Sequence, residues 1–261
     1  ISGKYYDTEA IQNFLVKTLK VPMPATVDSA AIAGMMDLLR VQGCFALSAR
    51  FAVCFEMGEG SKDINPTDSS LEYPDVSQYE EIGMVFENAL NQMVNDKDSA
   101  ASWDEMSSDS LREELLTRGI TSLEQISCSK TLREELANRV KRSFVEVASS
   151  VGVSSPKPQP GLKSAMDSLA KFVSWDVEEG DIGIFVKATV DAFFDNDLLH
   201  TMRTFLGNAK GSFGLSLSTS MDAHRQVAFA AKGQTLSVAF YPRKGVVCFG
   251  SEQAAVKAGL N

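Results

Sequence analysis

Apolar residues recur every three or four positions along much of the chain, and this spacing predicts helices with one buried face. The clearest stripe joins Ile82, Val85, Phe86, Leu90 and Met93. The predicted helices cover residues 7–21, 28–40, 77–93, 111–118, 132–150, 162–172 and 198–206. Three of them begin with a capping box, in which Ser or Thr and a Glu three residues later bond to free backbone amides. These pairs are Ser77 with Glu80, Ser110 with Glu113 and Thr131 with Glu134.

A different spacing predicts strands. Residues 44–55 are almost all apolar, which is typical of a strand buried on both faces. After Gly207, apolar and polar residues alternate, as they do in strands with one buried face. The four runs with this pattern are 215–219, 227–231, 236–241 and 246–249, and Ser251 with Glu252 would cap a closing helix.

The order of these elements predicts an α+β protein in three segments. Residues 1–56 and 176–261 hold the predicted strands. Residues 57–175 are expected to form an acidic linker and a helical insert, because 57–79 lack periodicity and the next predicted helices follow in succession. Residues 154–161 are rich in proline and are expected to be extended.

The composition is that of an ordinary globular chain, with 261 residues, 44% hydrophobic, 23% charged and a formal net charge of −9. Residues 57–110 hold 13 acids and two bases, whereas 111–142 hold five acids and seven bases. A negative field repels nucleic acid and anionic membranes unless a local patch reverses it. The apolar runs fall short of the roughly 18 residues of a membrane span, and a signal-peptide layout is missing from the first residues. We therefore expect a soluble cytoplasmic protein without a membrane partner.

The cysteines and histidines offer little for catalysis or metal binding. The four cysteines are too scattered for a disulfide scaffold or a paired metal site, so we expect reduced and mostly buried thiols. Two histidines are too few for a histidine-rich metal centre or a conventional triad. One of them, His200, has no evident partner acid, and we interpret His224 as exposed in a turn. These residues are Cys44, Cys54, Cys128, Cys248, His200 and His224.

Neither a metal loop nor a phosphate loop is predicted. Asp191, Asp195 and Asp197 are close in sequence but lack the spacing of a calcium loop, and we interpret them as the start of the helix at Leu198. Residues 207–214 precede a strand, whereas a phosphate loop opens a helix. The sequence thus indicates no catalytic residue, metal ligand or cofactor site within the chain.

Several segments resemble the class II glutamine amidotransferase domain, as found in glucosamine-6-phosphate synthase. Residues 7–11, Asp-Thr-Glu-Ala-Ile, are similar to that family's Asp-Thr-Glu segment before a helix. Residues 211–214, 231–236 and 250–255 follow the family's order of helix, strand, hairpin and closing helix. The resemblance covers about residues 1–20 and 196–260.

The resemblance implies an αββα sandwich of the N-terminal-nucleophile type, here incomplete and interrupted by the helical insert. In that family an N-terminal cysteine attacks the side-chain amide of glutamine, with its own α-amine as base, and ammonia passes to a synthase domain, for example to aminate fructose 6-phosphate. The nucleophile would lie upstream of Ile1, so the chain resembles a cut within a longer protein. We therefore expect the chain alone to be inactive, with glutamine, the upstream part of the domain and a synthase domain as its partners.

Asp7 is the only position that matches a site residue of the family, the acid that binds the α-ammonium of glutamine. An amino-acid ligand needs an anion at its ammonium group, and a helix start can direct a carboxylate toward a cleft. The alternative is an ordinary N-cap, since Asp at this place satisfies backbone amides and the helix dipole.

A second function remains open, a non-catalytic interaction module that acts through the helical insert. Residues 111–140 resemble the helix, loop and helix of the SAP nucleic-acid-binding motif, and their bases could contact phosphates. The simpler interpretation is a helical hairpin whose charges form solvated pairs one turn apart.

Overall fold

The computed structural model describes residues 8–19, 21, 23, 25–57, 76–95, 123–149, 179–207, 209–221 and 226–258. They form two compact units, residues 8–197 and residues 198–258. The first is helical and the second combines helices with two small antiparallel sheets, so the predicted α+β class is confirmed.

The helices of the first unit are α1 (Thr8–Asn13), α2 (Asp28–Leu39), α3 (Phe45–Phe51), α4 (Val76–Asn95), α5 (Leu123–Cys128), α6 (Lys130–Ser149) and α7 (Glu179–Asp195). Wider π-helical turns continue α1 over Phe14–Thr18 and α3 over Ala52–Met57. The second unit consists of α8 (Leu198–Gly207), β1 (Phe213–Leu217), β2 (Ala228–Lys232), β3 (Ser237–Tyr241), a 3₁₀ turn (Pro242–Lys244), β4 (Val246–Gly250) and α9 (Gln253–Ala258).

Four helices of the first unit meet at a cluster of buried phenylalanines. Phe45 of α3 stacks on Phe193 of α7 with 3.8 Å between ring centroids, and it lies 5.2 Å from Phe86 of α4. Phe86, Phe144 of α6 and Phe185 of α7 contact one another edge to face at 6.1 to 6.3 Å. Each buried ring contributes about 1.5–3 kcal/mol by leaving water, and edge-to-face pairs add to this. The cluster is thus the centre of the helical core.

The predicted strand over residues 44–55 is wrong, because this segment is α3 and its π-helical continuation. An unbroken apolar run fits a doubly buried strand and a helix buried on every side equally well. Here α3 contacts both α4 and α7, which cover it from different sides. A Cβ on Gly83 of α4 would lie 2.8 Å from the backbone nitrogen of Ala46, so the small residues of both helices permit a close approach.

The loop before α3 is fastened to the end of α7. Gly43 adopts a left-handed conformation with φ +82°, which only glycine adopts readily. Its amide donates to the carbonyl of Phe193 at 2.9 Å, and the side-chain amide of Gln42 donates to the carbonyl of Phe194 at 2.7 Å. Helix α7 itself was absent from the predicted elements, although it supplies three rings of the core, Phe185, Phe193 and Phe194.

The strands of the second unit pair in sequence order. In β1 and β2, Phe213 is opposite Lys232 and Leu217 is opposite Ala228. In β3 and β4, residues 237 and 250 are opposite each other, as are 241 and 246. The four predicted strands, the helix over 198–206 and the closing helix are confirmed, with ends shifted by up to two residues.

The compact units divide the chain differently from the predicted segments 1–56, 57–175 and 176–261. Helices α4 and α6, which lie in the expected insert, share one core with α3 and α7. The described part of residues 1–56 contains helices and no strand. The helices predicted over 77–93 and 132–150 are confirmed, whereas residues 111–118, 154–161 and 162–172 lie outside the described ranges.

Candidate functional site

The substrate-binding residue predicted from the sequence, Asp7, lies outside the described residues, which begin at Thr8 with the first turn of α1. Its role at a glutamine ammonium group therefore stays a prediction. The three other segments that carried the amidotransferase resemblance, 211–214, 231–236 and 250–255, are fully described and lie in the second unit.

These three segments, 211–214, 231–236 and 250–255, meet at one end of the strands. Residue 213 is opposite 232 at the start of β1, and 237 is opposite 250 at the end of β4. The connection from β2 to β3 runs between these two pairs. Segments that are separated by about 20 residues along the chain are therefore neighbours in the fold.

Hydrogen bonds and one glycine hold these segments together. The Thr235 hydroxyl donates to the carbonyl of Ser251 at 2.9 Å, and the Lys232 ammonium donates to the carbonyl of Ala209 at 2.6 Å. Gly233 has φ +67°, and a Cβ there would lie 2.5 Å from the Ser212 hydroxyl oxygen. At this end of the two sheets the three segments are therefore closely packed, and hydroxyl, amide and ammonium groups lie among them.

One face of the β3–β4 hairpin is covered by α9. Tyr241 donates its hydroxyl to the carbonyl of Val256 at 2.9 Å, and a Cβ on Gly250 would lie 3.3 Å from the Val256 side chain. Val256 of α9 is buried, with 8% of its surface exposed. The helix therefore packs through Val256 on the face that carries Tyr241, Cys248 and Gly250.

The opposite face of this hairpin is apolar and exposed. Phe240 is opposite Val247 and Val238 is opposite Phe249, so the four side chains form one continuous patch, which we call the open face. Their exposed fractions are 36% for Val238, 74% for Phe240, 50% for Val247 and 48% for Phe249. Phe229 of β2 extends the patch, because its ring lies 4.9 Å from that of Phe249. Contiguous exposed apolar patches mark surfaces that bind another protein, a membrane or a ligand, or that favour aggregation.

The cysteines differ from the expectation of mostly buried thiols. Cys54 is buried, and burial raises the pKa of its thiol to about 12 against the opposing effect of the nearby Arg50. Cys44 and Cys248 are half-buried, whereas Cys128 at the end of α5 is exposed. Cys54 is thus an unreactive core residue at neutral pH.

The aspartates near residue 195 serve the helical core. The Arg133 guanidinium of α6 binds both carboxylate oxygens of Asp195 at 2.6 and 2.8 Å and lies 3.9 Å from Asp191. These hydrogen bonds hold the pKa of Arg133 above its ordinary value. Asp191 and Asp195 are therefore in α7 and bind α6, which corrects the interpretation that they begin the helix at Leu198.

The three arginines of α6, which belong to the basic stretch 111–142, also form contacts within the protein. Besides Arg133, Arg139 donates to Glu135 at 2.8 Å and Arg142 approaches the same carboxylate at 3.4 Å. The Arg139–Glu135 pair is one turn apart, as the simpler interpretation of a helical hairpin expects, whereas Arg142 lies two turns from Glu135 and Arg133 binds another helix. The other half of the SAP-like segment lies outside the described ranges.

A groove of about 670 Å³ runs between α6 and α7 on the surface of the helical unit. Its floor contains small and apolar residues, among them Ala137, Gly183, Val186 and Val190. Its rim carries Lys130, Arg133, Glu134, Lys141, Lys187 and Asp191. Sequence patterns missed this groove because α7 was not predicted, and a groove between two helices exists only after both are placed.

Within the described ranges, no group of three or more metal-ligating side chains comes together. His200 is exposed on α8, and His224 lies outside those ranges. In the same part of the chain, the helices are all too short or too polar to cross a lipid bilayer. No family model, curated protein or solved structure matches the chain.

Proposed function

We propose that residues 198–258 belong to a glutamine amidotransferase-like domain, which binds glutamine and in its complete form hydrolyses it to supply ammonia to a synthase domain. The observation that carries this proposal is the meeting of segments 211–214, 231–236 and 250–255 at one end of the sheets. The sequence resemblance selected these segments by their residues and their order along the chain, and strand pairing makes them neighbours in space.

The open face supports the finer fold that the proposal requires, an αββα sandwich. In such a sandwich each sheet has helices on its outer face and an apolar inner face against the other sheet. The β3–β4 hairpin has α9 on one face and apolar residues on the other. The proposal requires a further sheet that packs on the open face, and a cysteine nucleophile in the complete domain.

Asp7 has a defined task in this proposal. Its carboxylate would bind the α-ammonium of glutamine and thereby orient the side-chain amide toward the nucleophile. A residue that binds substrate equally in the ground and transition states affects KM more than kcat. The task of Asp7 is therefore testable by the split between the two constants.

The experiment measures glutamine-dependent release of glutamate by the full-length protein that the proposal requires, with Asp7→Ala and Asp37→Ala beside it. Asp37 is a suitable matched control because its side chain is 77% exposed on α2. We expect Asp7→Ala to raise KM by at least about tenfold, the loss of one charge-assisted contact. The Asp37→Ala protein should match the unaltered protein.

Two outcomes would contradict the proposal. A folded full-length protein that releases no glutamate above the buffer control would remove the catalytic claim. Equal constants for the Asp7→Ala and Asp37→Ala proteins would remove Asp7 from the glutamine site. Release of glutamate by the 261-residue chain alone would overturn the expectation that it is inactive.

A further inference from the structure

The net charge of the chain changes sign at the start of the second unit. Residues 198–261 hold seven bases and two acids, a net charge of +5. The whole chain has a net charge of −9, so residues 1–197 together carry −14. The unit that contains the open face is therefore basic within an acidic protein, and its surface attracts anionic groups.

The bases nearest to the open face are in the turn of the β3–β4 hairpin. Arg243 and Lys244 belong to the 3₁₀ turn and are both exposed. Arg243 is three residues after Phe240 and Lys244 is three residues before Val247, and Phe240 and Val247 form the open-face pair closest to the turn. The two most exposed side chains of the open face therefore adjoin two positive charges.

No acid of the hairpin offsets these charges. Residues 236–250 contain neither Asp nor Glu, and the next acid along the chain, Glu252, follows the opposite end of the hairpin. Among the described residues, Arg243 has no ion-pair partner. The apolar side chains are themselves in water, since each of the four residues of the hairpin's open face is at least 36% exposed. A partner can thus make both apolar and anionic contacts here.

From these features we infer that the sheet which packs on the open face has acidic side chains at its border, and that these approach Arg243 and Lys244. The inference rests on the proposed function, because that function requires a further sheet on this face. The apolar strands of that sheet would cover the open face as the two inner faces of a sandwich cover each other. Acids at the ends of these strands add attraction at an edge that stays in water, and they fix the orientation of one sheet on the other.

Other occupants have less complementary chemistry. A second copy of residues 198–261 brings the same excess of bases, which repels the first copy. A single-stranded nucleic acid needs flat ring faces for stacking, whereas the rings of Phe229 and Phe249 contact each other edge to face at 62°. An anionic membrane would bind the basic turn, but the apolar residues continue along the whole hairpin to Val238 and Phe249, as an inner sheet face requires.

The test uses the 261-residue chain and a synthetic fluorescent β-hairpin peptide of about 12 residues. One face of the peptide alternates valine and phenylalanine, and glutamates lie at its turn and strand ends. A matched peptide has lysine in place of every glutamate, and a third probe is a vesicle of phosphatidylcholine and phosphatidylserine in equal parts. Fluorescence anisotropy reports peptide binding, and sedimentation reports vesicle binding.

The expected result is a preference for the acidic hairpin that depends on salt. At low salt the acidic hairpin should bind at least about fivefold more tightly than the basic one, because two exposed bases each contribute a modest attraction. The preference should shrink below about twofold at roughly 1 M salt, where charges at the edge of the face are screened.

Two variants separate the charges from the apolar face. The double variant Arg243→Glu, Lys244→Glu should reverse the preference, so that the basic hairpin binds more tightly. Phe240→Ser should weaken the binding of both hairpins. Lys17→Glu, which alters an exposed base of the first unit, is the control and should leave the preference unchanged. Circular dichroism checks that each variant is folded.

Absence of acidic-hairpin binding up to about 1 mM would overturn the inference. So would equal binding of the two hairpins, a preference that the Arg243→Glu, Lys244→Glu variant leaves intact, or binding of the vesicles in preference to the acidic hairpin. These results leave glutamine-dependent release of glutamate untouched, so the inference can fail while the proposed function stands. Failure of glutamate release instead removes the proposed function, whatever the hairpins do.

Discussion

Arg133 connects two core helices with a geometry that lysine cannot reproduce. Its guanidinium binds both oxygens of Asp195, donates to the carbonyl of Ser127 at 2.6 Å and lies 4.9 Å from the ring centre of Phe194. Lysine has the same charge but lacks the planar fork that permits these contacts together. We expect Arg133→Lys to lower the free energy of unfolding by about 1–3 kcal/mol in urea titrations.

The matched control for this prediction is Arg142→Lys on the same helix. The Arg142 side chain is 66% exposed and its contact with Glu135 is 3.4 Å long. An exposed pair of this kind contributes at most about 1 kcal/mol, so the change should be small. Equal losses in the two variants would show that the fork of Arg133 has no special role.

Cys54 makes the stability of the helical unit sensitive to alkaline pH. Burial raises the pKa of its thiol from 9.0 to about 12, so the folded protein holds this proton when the unfolded chain has released it. The stabilising contribution is present below pH 9.0 and is lost as pH rises towards 12. In urea titrations above about pH 9, Cys54→Ala should therefore lose less stability per pH unit than the unaltered chain.

Cys128→Ala is the control, since this thiol is exposed and should not alter the alkaline slope. Alkylation of the native chain gives an independent check. Cys128 should react rapidly at about pH 8, and Cys54 only after unfolding. Labelling of Cys54 as fast as that of Cys128 would contradict its burial in the core.

Two glycines in helices of the same core have opposite surroundings. A Cβ on Gly83 would lie 2.8 Å from the backbone nitrogen of Ala46, and a Cβ on Gly183 would meet nothing within 4 Å. Alanine favours a helix over glycine by about 1 kcal/mol. We expect Gly183→Ala to stabilise the chain by about 0.5–1 kcal/mol and Gly83→Ala to destabilise it by about 1–3 kcal/mol.

The same pair tests how closely α3 and α4 approach. Thermal unfolding followed by circular dichroism measures both variants under one set of conditions. If Gly83→Ala is as stabilising as Gly183→Ala, the two helices are farther apart than the structure has them. The sign of the difference is more informative here than its size.

Elements with one buried face could be predicted from the sequence, and elements buried on every side could not. Helices α4 and α6 and the four strands each have an apolar stripe or alternation that records which side faces the core. The segment 44–55 has no polar side, so its apolar residues do not distinguish the helical period from the strand period. The segment that forms α3 was therefore predicted as a strand. Local periodicity also does not show which helices share a core. Phe45 contacts Phe193, for example, although almost 150 residues separate them in the sequence.

The sequence predicts some parts of the candidate site and not others, for the same reason. The three segments at the end of the sheets were selected by their residues and order, but their contact depends on strand pairing. The groove between α6 and α7 depends on a helix pair whose second member was not predicted. Asp7 lies outside the described residues, so its assignment depends on the sequence resemblance alone.

At the scale of the whole molecule, the open face should allow the native chain to bind apolar molecules from solution. Phe240 and Val247 are opposite each other and at least half of each side chain is exposed. We expect the chain to bind the dye ANS in its folded state, because exposed apolar patches bind it. The double variant Phe240→Ser, Val247→Thr should bind less, whereas Val16→Ser, which removes an isolated exposed valine, should not change the signal.

The measurement that tests the central claim most directly compares the open face in two molecules. Phe240→Cys is introduced on a Cys128→Ser background, and its alkylation rate is measured in the 261-residue chain and in the full-length protein that the proposal requires. If the open face is the inner surface of a two-sheet sandwich, the rate in the full-length protein should be at least about tenfold slower, because covering elements must open first. A reference cysteine at the exposed Lys210 should react equally in both. Equal rates at Phe240→Cys would contradict the sandwich and remove the support that the open face gives to a glutamine amidotransferase fold.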